Sequence, residues 1–168
     1  MITYKHRANL LTDPLRYAAV EVDVKMNNGQ VVVGHNTDHI DCLFEDYLKN
    51  CNENTELAVN IKQSGMAKIL YEMMSKCKVK SYFFFDMAVP DLLDYISLCP
   101  QHTAYRISEY ETQRFDVDWV WLDYFMFTTM LKNEFLGKKV VVVSPELHGF
   151  KHRYELDPSY YGVCTDDI

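Results

Sequence analysis

Two carboxylates two residues apart on a strand open the chemical reading. In "VEVDV", Glu21 and Asp23 alternate with Val20, Val22 and Val24. Residues i and i+2 share one face of a strand. The valines mark the opposite face as buried, so the two acids point together. Carboxylates that close repel unless one holds a proton or a cation lies between them. Magnesium or calcium suits them, because hard cations take oxygen ligands. Two solvated acids on an edge strand are the alternative.

His6 and Arg7 end the first strand-like run, "MITYKHR", and His35 follows "QVVVG". Two imidazoles, a guanidinium and two carboxylates form a set suited to phosphodiester cleavage. One histidine takes a proton from the nucleophile and the other returns one to the leaving oxygen, in either assignment. A metal and Arg7 offset the charge on phosphate. Whether His35 joins the acids depends on the turn between them. A three-residue loop, Asn27-Asn28-Gly29, would pair Glu21 with His35 and is the expectation. A two-residue Asn-Gly turn would pair Val22 with His35, on the other face.

The rest of the chain must bring these groups together. Apolar β-type runs alternate with helical patterns throughout: "ELAVNIKQ", "KSYFFFDM", "TAYRIS", "DWVWLDYF", "KKVVVVSPEL" and "GVCTD" read as strands. "DCLFEDYLKNC", "GMAKILYEMMSKC", "VPDLLDYISLC" and "TTMLKNEFLG" read as helices, with "NLLTDPLRY" and "EYETQRF" as short ones. Near-continuous apolar strands imply a parallel sheet covered on both faces. Eight such units predict an α/β fold, a compact (β/α)8 TIM barrel over residues 1–168 as a single domain. Helices 7 and 8 are shortened or missing, and a β-hairpin extension follows strand 2. An open doubly wound sheet is the competitor, but "YKHRANLL" lacks the glycine-rich first turn that such a sheet uses for phosphate.

Polar groups end every strand: His6 and Arg7, Glu21 and Asp23, Asn60 and Lys62, Asp86, Arg106, Asp123, Ser144 and Glu146, Thr165 and Asp166. In a parallel barrel these ends meet on the face that holds active sites. Arg106 is a candidate substrate contact on that face. In "SEYE", Glu109 is better placed for the site and Glu111 reads as a solvated charge. Trp119, Trp121, Tyr124 and Phe125 are candidates for a sugar or glycerol contact, with core packing as the other reading.

The net charge of −7 disfavours nucleic acid and anionic membranes as partners. Five cysteines without CxxC spacing suggest reduced thiols. No apolar run is long enough to span a bilayer, so a cytoplasmic protein without membrane insertion is expected.

"KHR", "EVDV" and "VVVGHN", in that order, resemble the signature of the glycerophosphodiester phosphodiesterase family, among the phospholipase-C-like phosphodiesterase barrels. "LAVNIKQ", "FFFDM", "YRISEYE", "VWLDYF", "VVVSPELHG" and "GVCTDDI" extend the resemblance, to a compact bacterial subgroup, over nearly the whole chain. It implies a phosphoric diester hydrolase acting on a small glycerophosphodiester-like substrate. It implies His6 and His35 as the acid/base pair, Arg7 and Lys62 at the phosphate, and Glu21 and Asp23 as ligands of a divalent metal, Mg2+ or Ca2+. Three departures stand out: Ala8 replaces a glycine, Asn36 an aspartate, and Asn60 a third acidic ligand. Asp86 is the expected compensating ligand. If none compensates, the barrel would bind a phosphorylated ligand without turnover. A metal-free lyase and a scaffold on an open sheet are further rivals.

Overall fold

A computed structural model describes residues 1–123, 132–150 and 157–168. Ten strands are present: β1 (Ile2–Lys5), β2 (Ala19–Asn27), β3 (Gln30–Val33), β4 (Cys42–Leu43), β5 (Glu56–Ile61), β6 (Ser81–Phe85), β7 (Ala104–Ile107), β8 (Trp119–Leu122), β9 (Lys139–Val143) and β10 (Gly162–Thr165). Among the described residues four α-helices accompany them: α1 (Asp13–Arg16), α2 (Phe44–Asn50), α3 (Ala67–Lys76) and α4 (Val89–Leu98).

Eight strands run parallel in the order β1, β2, β5, β6, then β7, β8, β9, β10 and back to β1. Between β6 and β7 the ladder is reduced to one parallel bridge, Phe84 to Thr103. The fold is therefore the expected α/β barrel type, with a sheet that is not fully laddered around its circumference. No helix among the described residues is long and apolar enough to cross a membrane.

Alternation along each strand builds two cores. Inward positions fill the barrel with Tyr4, Phe83, Phe85, Trp119, Trp121, Val141 and Cys164, while Ala19, Ala58 and Ala104 leave room for the large rings. Phe85 stacks on Trp121 at 3.9 Å and Phe83 on Trp119 at 4.4 Å between ring centroids. The two tryptophans are thus packed core. Outward positions Val20, Val22, Val24, Leu57 and Val59 pack beneath α2 and α3 through Phe44, Tyr47, Leu70 and Met74. Burial on both faces explains why the parallel strands read as continuous apolar runs.

One end of the barrel is closed by Glu56, which accepts hydrogen bonds from Tyr4 Oη (3.3 Å), Ser81 Oγ (2.6 Å) and Tyr161 Oη (3.1 Å). Buried tyrosines keep a polar partner for their hydroxyls in this way.

Local structure departs from expectation in three places. The hairpin turn is the two-residue Asn28-Gly29, with Asn27 paired to Gln30, not the three-residue loop. Both turn residues have positive φ (47° and 79°), the type I′ geometry whose twist matches that of the strands. "DCLFEDYLKNC" begins as the short strand β4, and α2 starts only at Phe44. "EYETQRF" forms no helix: residues 109–115 are irregular, and Ser108 and Glu111 exchange backbone hydrogen bonds. Tyr124, Phe125, His152 and the first part of "TTMLKNEFLG" lie outside the described residues; Lys132–Phe135 is a 3-10 turn.

Candidate functional site

On six of the eight parallel strands the inward face changes from apolar to polar near the C-terminal end, without changing parity. Tyr4 is followed by His6, Ala19 by Glu21 and Asp23, Ala58 by Asn60 and Lys62, Ala104 by Arg106, Trp121 by Asp123, and Cys164 by Asp166. The barrel floor and the polar mouth are therefore one continuous surface, set by the two-residue period of a strand.

Asp23 is the hub. Its side chain is fully buried. Asn9 clasps it twice: Asn9 Nδ2 donates to Asp23 Oδ2, and the Asp23 backbone N–H donates to Asn9 Oδ1, both at 3.0 Å. His35 Nδ1 lies 3.1 Å from the same Oδ2. Lys62 Nζ lies 3.1 Å from Oδ1. That charge-assisted contact is what Oδ1 has in place of an amide or imidazole donor. Burial alone would raise the Asp23 carboxyl, but Lys62, Asn9 and His35 outweigh it and hold it below its ordinary value.

Glu21, its neighbour on the same face, behaves oppositely. Burial and the Asp23 charge push its carboxyl up to about 7, against the pull of the Arg7 backbone N–H and Asn60. Arg7 N donates to Oε2 at 2.7 Å and Asn60 Nδ2 to Oε1 at 3.0 Å. Arg7 reaches that position in a left-handed conformation (φ 46°). Its guanidinium is exposed to solvent, and its charge, with burial, helps to lower the His6 imidazole.

The two histidines have parallel settings. His6 follows β1, and its Nδ1 faces Asp166 Oδ1 at 3.2 Å. Burial lowers this imidazole, opposed by Asp166 and by Asp23. His35 faces Asp23 in the same manner. Each ring turns Nδ1 to a carboxylate, which leaves Nε2 for other chemistry. The field of Asp23 reaches both.

His35 gains this position in spite of the turn. The ladder pairs Val24 with Val33 and ends with Gly34 N donating to Asp23 O at 3.0 Å. Had it continued, His35 would have faced away with Val22. The chain instead leaves the ladder at Gly34 (φ 157°), where a Cβ would sit 2.4 Å from His39 O. Lys25, buried on the inward face beyond Asp23, ties the departing loop: its Nζ donates to the carbonyls of His39 (2.7 Å) and Asn36.

Arg106 and Asp86 form the opposite wall. Arg106 Nη1 donates to Asp86 Oδ1 at 2.6 Å, and its Nε pairs with Glu111 and lies 3.9 Å from Asp123 Oδ2. Burial pushes Asp123 up to about 6, with Arg106 opposing and Asp86, Glu109 and Glu111 adding to it. His148 Nε2 stands 3.8 Å from Asp123 Oδ1. Arg106 and Asp86, expected at the substrate and at the metal, are paired with each other in this structure. Arg106 is engaged by carboxylates, with three acids around it. Asp86 breaks out of the strand with φ 68° and serves as counter-ion to Arg106, 3.8 Å from Lys62 Nζ. Glu111, read as a solvated charge, is the acid that binds Arg106, and Glu109 is exposed.

The donor set suits a hard cation in part. Among the described residues, no three His, Cys, Asp or Glu side chains gather as a ready-made cluster. At this site Asn60 Oδ1 is nevertheless buried without a hydrogen bond, and Asp23 Oδ1 has only the Lys62 ammonium beside it. They belong to laterally paired residues of β2 and β5, beside Glu21. Buried polar atoms without partners are rare and call for an explanation such as an ion or a water. Glu21, Asp23 and Asn60 supply carboxylate and amide oxygens of the kind Mg2+ and Ca2+ prefer.

Asn9, Lys25 and the pairing of Asp166 with His6 were not assigned from sequence. Lys25 carried a signal, since Glu21, Asp23 and Lys25 share one face at a spacing of two. Asn9 carried none, because it lies in an irregular loop. A concavity of about 830 Å³ lies outside the barrel between the hairpin, α2 and α3. A smaller one, about 240 Å³, adjoins Arg106 and Asp86.

No protein-family model and no curated protein matches this chain. Solved structures do match. A glycerophosphodiester phosphodiesterase from Thermotoga maritima aligns with TM-score 0.72 and 19% identity, covering 99% of this chain and 95% of that one. A phosphodiesterase from Oleispira antarctica, in complex with the product sn-glycerol-3-phosphate, gives 0.71 at 12% identity, over 99% and 93% of the two chains. A glycerophosphodiester phosphodiesterase from Agrobacterium tumefaciens gives 0.69 at 12% identity, over 99% and 95%. The fold of this chain is the fold of those enzymes over nearly its whole length.

Proposed function

We propose that this protein is a phosphoric diester hydrolase that cleaves a small glycerophosphodiester-like substrate, with His6 and His35 as its acid/base pair. One observation carries the reading: two carboxylate-backed imidazoles share the field of a single buried aspartate, beside a lysine, at the mouth of a barrel of this fold. An imidazole whose Nδ1 is held by a carboxylate keeps one tautomer and orientation, with Nε2 free to take or give a proton.

His6, lowered by burial, is neutral at pH 7 and suited to take the proton of the attacking hydroxyl. That hydroxyl belongs to water or to the substrate's own alcohol. His35, oriented by the fully buried Asp23, would deliver a proton to the departing oxygen. Lys62 and Arg7 bring positive charge to the phosphate, which favours the transition state as negative charge builds on its oxygens. The Phe85–Trp121 stack beneath excludes water from the floor of the site and strengthens these interactions. A divalent cation held by Glu21, Asp23 and the Asn60 amide oxygen would supply Lewis-acid stabilisation of the phosphoryl oxygens. Asp86, which holds Arg106 through Oδ1, would join that set through Oδ2.

The test is hydrolysis of bis-p-nitrophenyl phosphate and of glycerophosphodiesters, with Mg2+ or Ca2+ and with chelator. Cleavage that is lost in chelator and in both His6→Ala and His35→Ala supports the assignment. Cleavage that persists in chelator with cyclic phosphate accumulating supports a lyase. No cleavage, with a thermal shift on adding glycerol phosphate, makes the barrel a binding protein.

A further inference from the structure

We propose that Lys62 is a tethered cation that occupies the seat of the divalent ion on Asp23, and that it vacates that seat toward Asp86 when the ion binds. The inference rests on the cation reading above. It concerns what the side chain of this particular lysine does, beyond carrying charge near phosphate.

The lone pairs of Asp23 are unequally committed. Oδ2 receives Asn9 Nδ2 and His35 Nδ1. Oδ1 receives no amide or imidazole, only the Lys62 ammonium 3.1 Å away. Oδ1 is therefore the oxygen left to a cation, and a cation already stands beside it. A hard divalent ion approaches its oxygen ligands to about 2.0–2.6 Å. Two positive charges crowded at one oxygen repel strongly in a buried setting, so ion and ammonium exclude each other.

The second acceptor is in place. Asp86 Oδ2 is 3.8 Å from the same Nζ, while its other oxygen, Oδ1, takes Arg106 Nη1 at 2.6 Å. Asp86 is thus held still by one cation with an oxygen open to another. The Lys62 backbone is fixed, its N–H donating to Val24 O at 3.0 Å, so only the flexible four-carbon stem must move. Its side chain is 22% exposed, which leaves room for that movement. Asn60 fits the same account. Where a third acid would add charge and favour the divalent ion, the amide adds none, and a single ammonium is enough to balance Asp23.

The experiment is calorimetric titration of Mg2+ and of Ca2+ into the intact, chelator-stripped protein. Wild type, Lys62→Met, Asp86→Asn and the double variant are compared, each first checked for native circular dichroism. Lys62→Met should bind the ion at least ~10-fold more tightly than wild type, because no ammonium has to be displaced. Asp86→Asn should weaken binding in the wild-type background and have little effect in the Lys62→Met background, since the displaced lysine needs Asp86 and methionine does not. Equal or weaker binding by Lys62→Met overturns the proposal. So does an Asp86→Asn effect of the same size in both backgrounds, which would reduce both residues to through-space charge. Absence of binding in wild type and Lys62→Met alike overturns the cation reading itself, a result distinct from either of those.

Discussion

Replacing Asp123 with asparagine should stabilise the protein at alkaline pH and leave it unchanged at acid pH. The Asp123 side chain is 13% exposed, 3.9 Å from Arg106 Nε and 3.8 Å from His148 Nε2. Burial is the dominant influence and raises the carboxyl from 3.8 to about 6, with Arg106 only partly opposing. The folded value exceeds the unfolded one, so the stability tied to this proton is fully present below pH 3.8 and is lost as pH rises through 6. A displacement of about two pH units, at about 1.4 kcal/mol each, makes ionised Asp123 a cost of roughly 3 kcal/mol at pH 8. That cost already includes the attraction to Arg106, so asparagine, which stands in for the protonated acid, recovers it, discounted for solvent screening to a net gain of about 1–2 kcal/mol. For a chain of this size that is on the order of 3–6 °C in Tm. Thermal melts of both proteins at constant ionic strength from pH 4 to pH 8 provide the assay. The variant's advantage should grow between pH 4 and pH 7 and then level off. A variant less stable than wild type at pH 8, or a difference independent of pH, would refute the reasoning, because the Arg106 pair would then outweigh desolvation.

Gly34→Ala should lower both Tm and turnover. Its Cβ would stand 2.4 Å from a backbone oxygen of the loop bearing His35, and the strain is worth about 1–3 kcal/mol, measurable by thermal melting beside a diesterase assay. Lys25→Met removes the donor to the Asn36 and His39 carbonyls. Amide exchange across residues 35–41 should accelerate and kcat fall by about tenfold, for a loss near 1.5–3 kcal/mol per charge-assisted hydrogen bond. Tyr47→Phe leaves the Ala8 carbonyl without the 2.7 Å donor that anchors the His6–Asn9 loop; urea unfolding should show a loss of about 1–2 kcal/mol. His6→Ala and His35→Ala should each reduce kcat by about 10²–10⁴ while far-UV circular dichroism stays native.

Much of the fold was legible because a strand's pattern is local. "AAVEVDVKM" and "DWVWLDYF" show which residues share a face and where that face turns polar, and neither statement needs a distant neighbour. The hairpin departs from expectation for a local reason: the Asn-Gly dipeptide itself specifies the two-residue I′ turn, and His35 reaches the acids only because the chain leaves the ladder at Gly34. The barrel's small size likewise left helices too short to register: "EYETQRF" has helical spacing, but Glu111 is drawn to Arg106 and no regular turn forms.

What the sequence alone determined, then, is the repeating unit and the inward face: parallel strands buried on both sides, with His6, Glu21, Asp23, Asn60, Lys62 and Asp123 at the ends where they stop being apolar. Local periodicity is enough for that. Only the tertiary structure decided the pairings. His35 reaches Asp23 because Gly34 leaves the ladder and Lys25 ties the loop back. Asp86 answers to Arg106, and Asn9 clasps Asp23 from a loop without any pattern. Each such contact joins residues far apart in the chain and is selected by burial, which makes an unpaired charge costly and leaves the choice of partner to whichever group the packed backbone brings within reach.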